Sequence, residues 1–185
     1  MQKKLMTHLT TKHQITIRTT TDDHRIAKLT AVAIGLHLIE SVVPSPLPGV
    51  KPGIANIVTL YVLYRFDFAT AAWVSLLRVF AGSFMLGNFL SPTFMLSLCG
   101  ALLSLTTLAL ATNLPRNYFS PISLSILAAF SHIMGQLIIV RLLLIPHTGI
   151  AYLIPVFASA ALVFGVVNGV VSGLLIKNHL KPEQS

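Results

Sequence analysis

The sequence predicts an all-α integral membrane protein, a bundle of about six transmembrane helices. Of its 185 residues, 54% are hydrophobic and only 10% are charged, whereas about 25% of the residues in an average soluble domain are charged. Hydrophobic blocks that are long enough, or nearly so, to cross a bilayer recur along the chain, since a crossing takes about 20 helical residues. The net charge of +8 comes mostly from basic residues in the N-terminal segment and at block ends, which indicates membrane topology rather than nucleic-acid binding.

The blocks divide the chain into a polar cytoplasmic N-terminal extension, residues 1–24, and a six-helix transmembrane domain, residues 25–180. Helices are predicted near residues 26–43, 54–64, 68–86, 93–111, 121–145 and 152–176. The segment PSPLPGVKPG ends the first block, because proline removes a backbone donor and clashes with the preceding turn. Arg65 and Asp67 separate the short second block from the third. Each block is predicted to be helical, because lipid leaves unpaired backbone groups unsatisfied.

Basic residues near the block ends predict the orientation, because they accumulate on the cytoplasmic side. With a cytoplasmic N-terminus, Lys51 is the one basic residue placed on the outer side, while Arg78 and Arg141 lie within blocks. The protein is therefore expected in the cell inner membrane, multi-pass, with both termini cytoplasmic. A re-entrant second block would reverse the side of everything that follows it.

Charged residues within the blocks are costly in lipid and indicate a protein interior or a water-filled cavity. Arg78 lies in mid-block, where its guanidinium has the geometry to bind a carboxylate or phosphate bidentately; an ion pair between helices is the alternative. Glu40 either lines a binding cavity, pairs with Arg78 or Lys51, or reaches interfacial water. Both residues are candidates for substrate binding.

The segment SHIMGQ places His132 and Gln136 four residues apart, on one face of the fifth helix. This pair either binds a polar head group or makes hydrogen bonds between helices. Because no second histidine shares the turn, no metal site is predicted. No resident cofactor is expected either.

The segment PGVKPGIANIVTL interrupts the apolar pattern. A short apolar stretch preceded by glycine and proline is typical of a discontinuous helix near the binding site of a transporter. A helix that begins near Ile54 directs the positive end of its dipole toward the outer loop and favours an anion there. Lys51 and Asn56 therefore join the candidate substrate-binding residues. The alternative is an ordinary outer loop followed by a buried asparagine.

Small residues repeat every four positions in the first and last blocks, as they do where membrane helices pack closely. The repeats comprise Ala27, Ala31 and Gly35, and Gly165, Gly169 and Gly173. Internal packing is one explanation and docking to a partner membrane protein is the other. Ala27 and Ala31 are the candidate partner-binding residues, because they lie at the cytoplasmic end of the first helix.

Three segments resemble a known membrane family over roughly residues 26–176. They are PGVKPGIANIVTLYVLY, LLRVFAGSFMLGNFLSPTFMLSLCGALLSL and AAFSHIMGQLIIV. Together they resemble the heptaprenyl diphosphate synthase component I family, also called Gx transporters. The resemblance implies a fold similar to the S components of energy-coupling-factor vitamin transporters, in which small residues of the first helix meet a transmembrane partner.

The two family names imply different functions. The carrier reading predicts a membrane subunit that binds or transports a small organic solute: a flavin, another vitamin-like compound or an isoprenoid-related compound. Because the chain contains no GxxxxGK[ST] motif, an ATP-driven carrier requires a separate ATPase. The alternative is a non-catalytic membrane component of a polyprenyl diphosphate synthase, and a third is a structural subunit of a membrane redox complex. None of these makes the chain itself an enzyme.

Overall fold

The computed structural model describes residues 21–42, 53–114, 119–144 and 148–179. These residues form six α-helices: α1 Thr21–Val42, α2 Ala55–Arg65, α3 Phe68–Met85, α4 Pro92–Thr112, α5 Pro121–Ile139 and α6 Ile154–His179. A π-helical segment, Val140–Leu144, extends α5, and a 3₁₀ helix, Thr148–Leu153, precedes α6. Since these ranges contain no β-strand, the prediction of an all-α bundle is confirmed.

Polar capping residues define the starts of three helices. Asp67 Oδ1 accepts a hydrogen bond from Thr70 N at 3.1 Å at the start of α3. Ser91 and Ser120 accept equivalent backbone hydrogen bonds at the starts of α4 and α5, and a proline follows each serine. Proline suits the first helical position, where its missing N–H has no intrahelical partner. These local signals explain why the predicted starts of α3, α4 and α5 lie within one residue of the observed ones.

Helix α1 begins at Thr21, earlier than predicted, so it includes the last four residues assigned to the polar extension. Asp23 lies in its first turn, where an acidic side chain interacts favourably with the positive end of the helix dipole. The rest of the predicted extension, residues 1–20, lies outside the described residues.

Four of the described helical segments are long and apolar enough to cross a membrane: Phe68–Met85, Pro92–Thr112, Pro121–Leu143 and Ile154–Asn178. Helix α1 has 22 residues but five of them are charged. Helix α2 has 11 residues, which span about 16 Å at a rise of 1.5 Å per residue, about half of a hydrocarbon core of ~30 Å. Large apolar side chains such as Trp73, Phe84, Leu110 and Val163 are exposed. The protein is therefore a membrane protein, and its two shorter or more polar helices pack against the four long ones.

The short helix α2 lies at the centre of the bundle. It packs against α1, α3, α5 and α6, and six of its 11 residues are buried. Its apolar side chains Val58, Leu60, Val62 and Leu63 belong to the main hydrophobic core. Because α2 is short and central, its first turn begins inside the bundle, beside the end of α1.

Glycines allow the long helices to approach closely. A Cβ atom on Gly135 of α5 would lie 2.6 Å from the backbone oxygen of Cys99 in α4. On α6, Cβ atoms on Gly165 and Gly169 would lie 3.0 and 2.6 Å from backbone atoms of α5, whereas one on Gly173 would meet nothing closer than 3.8 Å. The glycine repeat of α6 thus serves internal packing at its first two positions.

Candidate functional site

A polar cavity lies in the half of the bundle where α1, α3 and α5 end and α2, α4 and α6 begin. All six helices line it, and its volume is about 80 Å³. Residues that bring polar groups to the lining are His37, Glu40, Gly53, Asn56, Arg78, Ser97, His132, Gln136 and Asn168. Five of the six predicted substrate-binding residues, from four different helices, thus lie in one cavity. The sixth, Lys51, lies outside the described residues.

Glu40, near the end of α1, caps the start of α2. Its side chain is 4% exposed, and Oε1 accepts hydrogen bonds from Gly53 N and from Ile54 N, the latter at 3.3 Å. Ile54 is the N-cap residue of α2 and makes no capping side-chain hydrogen bond. The carboxylate from α1 therefore satisfies backbone donors that the local sequence leaves open. The anion expected at the positive end of this helix is, in this structure, a side chain of the protein.

Helix α6 holds the same turn from a second side. Asn168 Nδ2 donates a hydrogen bond to Gly53 O at 3.1 Å. Gly53 has a φ of +68°, a left-handed conformation that glycine adopts at little cost, and a Cβ atom there would lie 3.1 Å from Asn56 Nδ2. The turn before α2 therefore depends on Glu40 from α1 and Asn168 from α6.

Arg78 of α3 is 5% exposed. Its charge is therefore enclosed by protein rather than by lipid, as the sequence predicted. Its Nη2 donates to Asn56 Oδ1 at 3.0 Å, and its charge interacts with that of Glu40. The guanidinium is thus bound to the first turn of α2. Its Nε atom is buried and has no hydrogen-bond partner among the described residues, which is uncommon for a buried polar atom.

His132 and Gln136 lie one turn apart on α5, and their Nε2 atoms are 3.3 Å apart. Which ring nitrogen of His132 carries the proton depends on the tautomer, and Nε2 is the acceptor in the tautomer protonated on Nδ1. His132 Nδ1 is buried and has no partner within the described ranges. The ring lies against Gly100 of α4, where a Cβ atom would be 2.7 Å from Nε2.

Four residues that bring polar groups to this lining were not among the predicted site residues: His37, Gly53, Ser97 and Asn168. His37 and Asn168 are each a polar residue in an otherwise apolar stretch, LHL and VNG. The signal that identified Arg78, a polar group that lipid disfavours, applies to His37 and Asn168 as well. His37 packs over Gly82 of α3, where a Cβ atom would lie 2.6 Å from His37 Cδ2.

Other residues that the sequence singled out lie away from the cavity. Arg141 is exposed in the π-helical segment after α5. Ala27 and Ala31 are exposed on α1, and a Cβ atom on Gly35 would meet nothing within 4 Å. In the part of the chain that the structure describes, no group of three or more His, Cys, Asp or Glu residues is placed to hold a metal ion.

Residues 29–175 match the family model described as heptaprenyl diphosphate synthase component I. The chain belongs to this family. The match confirms the family predicted from the sequence segments, and it covers all six candidate substrate-binding residues and Ala31, but not Ala27. No curated protein and no solved structure matched the chain.

Membership of the heptaprenyl diphosphate synthase component I family bears on catalysis. Component I is the non-catalytic component of that synthase, which agrees with the expectation that this chain is not an enzyme by itself. The family name also implies a second component as partner.

Proposed function

We propose that the protein is the non-catalytic membrane component of a heptaprenyl diphosphate synthase. The observation that carries this proposal is the family match over residues 29–175. Heptaprenyl diphosphate joins a long apolar chain to a charged head group, and each buried methylene favours the bilayer by about 0.8 kcal/mol. A membrane-spanning component is therefore suited to hold this product beside a catalytic chain at the membrane surface.

The acidic residues of the chain favour a separate catalytic subunit. Prenyl elongation uses aspartates that hold Mg²⁺ against a diphosphate, because the metal neutralises the phosphate charge and assists its departure. The whole sequence has five acidic residues, Asp22, Asp23, Glu40, Asp67 and Glu183. Glu40 is used as a helix cap, so only one adjacent aspartate pair remains for such a site.

Co-purification from native membranes tests this proposal. We expect a catalytic synthase chain to be retained with the protein, and prenyl product to form in bilayers only when both chains are present. A mock preparation without the membrane chain is the control. Full product formation by the catalytic chain alone would contradict the proposal. So would a purified preparation that contains no catalytic chain.

The cavity favours a second candidate, a subunit that binds or transports a small organic solute. The observation is a cluster of polar groups from six helices inside an apolar bundle. Substrate sites of many membrane transporters lie near the bilayer midplane beside discontinuous helices, and α2 begins within the bundle in this way. In this candidate the protein lies in the inner membrane with both termini cytoplasmic. Its exposed Ala27 and Ala31 meet a partner membrane subunit, which works with a separate ATPase.

Native mass spectrometry of the purified protein tests the second candidate. We expect a retained organic molecule, vitamin-like, flavin or isoprenoid-related, and a lower occupancy in Arg78→Ala. A flavin requires the cavity to enlarge, because its present volume of about 80 Å³ is well below the ~300–1,000 Å³ of pockets that enclose drug-sized ligands. A preparation that carries a synthase and no small molecule would favour the first candidate instead.

A further inference from the structure

We propose that the cavity binds a compact oxyanion, a phosphate or carboxylate group, beside the guanidinium of Arg78 and the ring of His132. This inference rests on the second candidate's premise that the cavity holds a ligand, and it names the chemistry of the bound group. Arg78 Nε and His132 Nδ1 are buried and lack a hydrogen-bond partner among the described residues. Both side chains line the same cavity.

Arg78 brings an unused donor to this region of the bundle, because its Nε carries a hydrogen in every protein environment. His132 Nδ1 carries a hydrogen in the tautomer in which Nε2 accepts from Gln136 Nε2. A guanidinium with an unused donor favours a ligand group that accepts hydrogen bonds, and an ionised acceptor makes stronger hydrogen bonds than a neutral one.

The balance of charge in the cavity favours an anion over a neutral acceptor. Arg78 contributes a full positive charge, and Glu40 is the carboxylate among the described lining residues. Because Glu40 Oε1 faces the backbone donors of Gly53 and Ile54, the positive end of the α2 dipole takes up part of its charge. Arg78 is therefore only partly neutralised. His37 and His132 are the other titratable residues in this lining, and α2, α4 and α6 contribute none to it.

The volume of the cavity limits the size of the bound group. About 80 Å³ is available, whereas pockets that enclose drug-sized ligands measure ~300–1,000 Å³. The space thus suits a group of a few heavy atoms, such as one phosphate or one carboxylate. The bound oxyanion is accordingly either a free small anion or the head group of a larger molecule.

Binding measurements on the full-length protein in lipid nanodiscs test this inference. The probes are inorganic phosphate, inorganic diphosphate and acetate in solution, and a prenyl diphosphate added with the lipid. Saturable binding of a free anion supports the site and assigns a soluble source, whereas binding of the prenyl diphosphate alone supports it and assigns a membrane source. Absence of saturable binding for all four probes would overturn it.

Two variants separate a binding role from a structural one. We expect Arg78→Lys to weaken binding of the bound probe by roughly tenfold or more, because lysine lacks the planar fork of donors. We expect Glu40→Gln to strengthen it severalfold, because an oxygen acceptor for Gly53 N remains while the nearby negative charge is lost. Arg65→Lys, at the exposed far end of α2, is the matched control and should leave affinity unchanged.

The melting temperature of each variant is measured in parallel to exclude misfolding. A folded Arg78→Lys protein with unchanged affinity, or a folded Glu40→Gln protein whose affinity is unchanged or lower, contradicts the inference. The outcome is independent of the first candidate function. If a preparation without any synthase chain binds the anion, the anion site stands and the synthase proposal fails. If a preparation that retains the synthase chain binds no anion, the synthase proposal stands and the anion site fails.

Discussion

Asn168 shows at the residue scale how a single polar side chain positions α2. Its Nδ2 donates to Gly53 O at 3.1 Å. This hydrogen bond joins α6 to the turn before α2. Interhelical hydrogen bonds in membrane proteins contribute about 0.6 kcal/mol on average and up to about 1.7 kcal/mol. We expect Asn168→Ala to lower the free energy of unfolding by about 1 kcal/mol, measured by denaturant titration in detergent.

Asn178 provides the control for this prediction. It is an exposed asparagine on the same helix, so Asn178→Ala removes the same chemical group without removing the bond to Gly53. Equal stability losses for the two variants would show that the hydrogen bond of Asn168 contributes nothing specific.

Asp67 caps the start of α3 and lies outside the membrane-spanning segments. Hydrogen bonds from Thr70 at the start of α3 hold the pKa of Asp67 below its ordinary value of 3.8. Because the folded state favours the ionised form, the stabilisation is present above pH 3.8 and is lost as the pH falls below that value. We expect Asp67→Ala to cost about 1 kcal/mol at neutral pH, as for other N-cap residues.

Thermal unfolding at several pH values checks this prediction. Asp67→Asn keeps an acceptor for Thr70 N but cannot titrate, so it should resemble the native protein at neutral pH and change less with acidification below pH 4. An Asp67→Asn variant as unstable as Asp67→Ala would show that the negative charge, not the cap, is what α3 requires.

At the element scale, glycine allows α6 to pack closely against α5. Gly169 and Gly173 of α6 differ in how close the neighbouring atoms are, so the two positions can be compared directly. A Cβ atom on Gly169 would lie 2.6 Å from the Cα atom of Ile122, a backbone atom that cannot rotate away, whereas the nearest atom to a Cβ on Gly173 is 3.8 Å distant. We expect Gly169→Ala to lower stability by about 1–3 kcal/mol, the usual cost of overpacking. Gly173→Ala should be neutral or slightly stabilising, since alanine is the better helix former.

Differential scanning of the two alanine variants, four residues apart on one helix, measures this difference. A stable Gly169→Ala protein would mean that α5 and α6 separate without cost and that their close approach is not required. The comparison also tests how the glycine repeat is used, because a repeat that served only a partner protein would make both positions equally tolerant.

At the scale of the whole molecule, the orientation in the membrane depends on α2. Its 11 residues reach about halfway through the hydrocarbon core at 1.5 Å per residue, so the bundle as a whole decides whether the chain changes sides there. We expect reporter fusions at Arg116 and Ser185 both to report the cytoplasm, as the distribution of basic residues predicts. An outward signal from Ser185 would contradict the six-crossing orientation.

The sequence predicted most of the fold because the signals involved are local. Block length and polarity located every helix, and the capping residues Asp67, Ser91 and Ser120 located three of the helix starts. The start of α1 was missed because residues 21–24 are polar, although an acidic first turn suits a helix. For the candidate site, the rarity of charge in lipid selected Glu40 and Arg78, whereas His37 and Asn168 carry no fixed charge in their residue type and gave a weaker signal.

By itself, the sequence determined that the protein is helical, belongs in a membrane and carries polar residues that lipid does not tolerate. Each of these properties depends on residues that are neighbours along the chain. Only the tertiary structure decided which partner each polar group takes. It directs Glu40 to the start of α2 and Arg78 to Asn56. Those contacts depend on how six helices are arranged around α2, and side chains far apart in sequence meet only after that packing is complete.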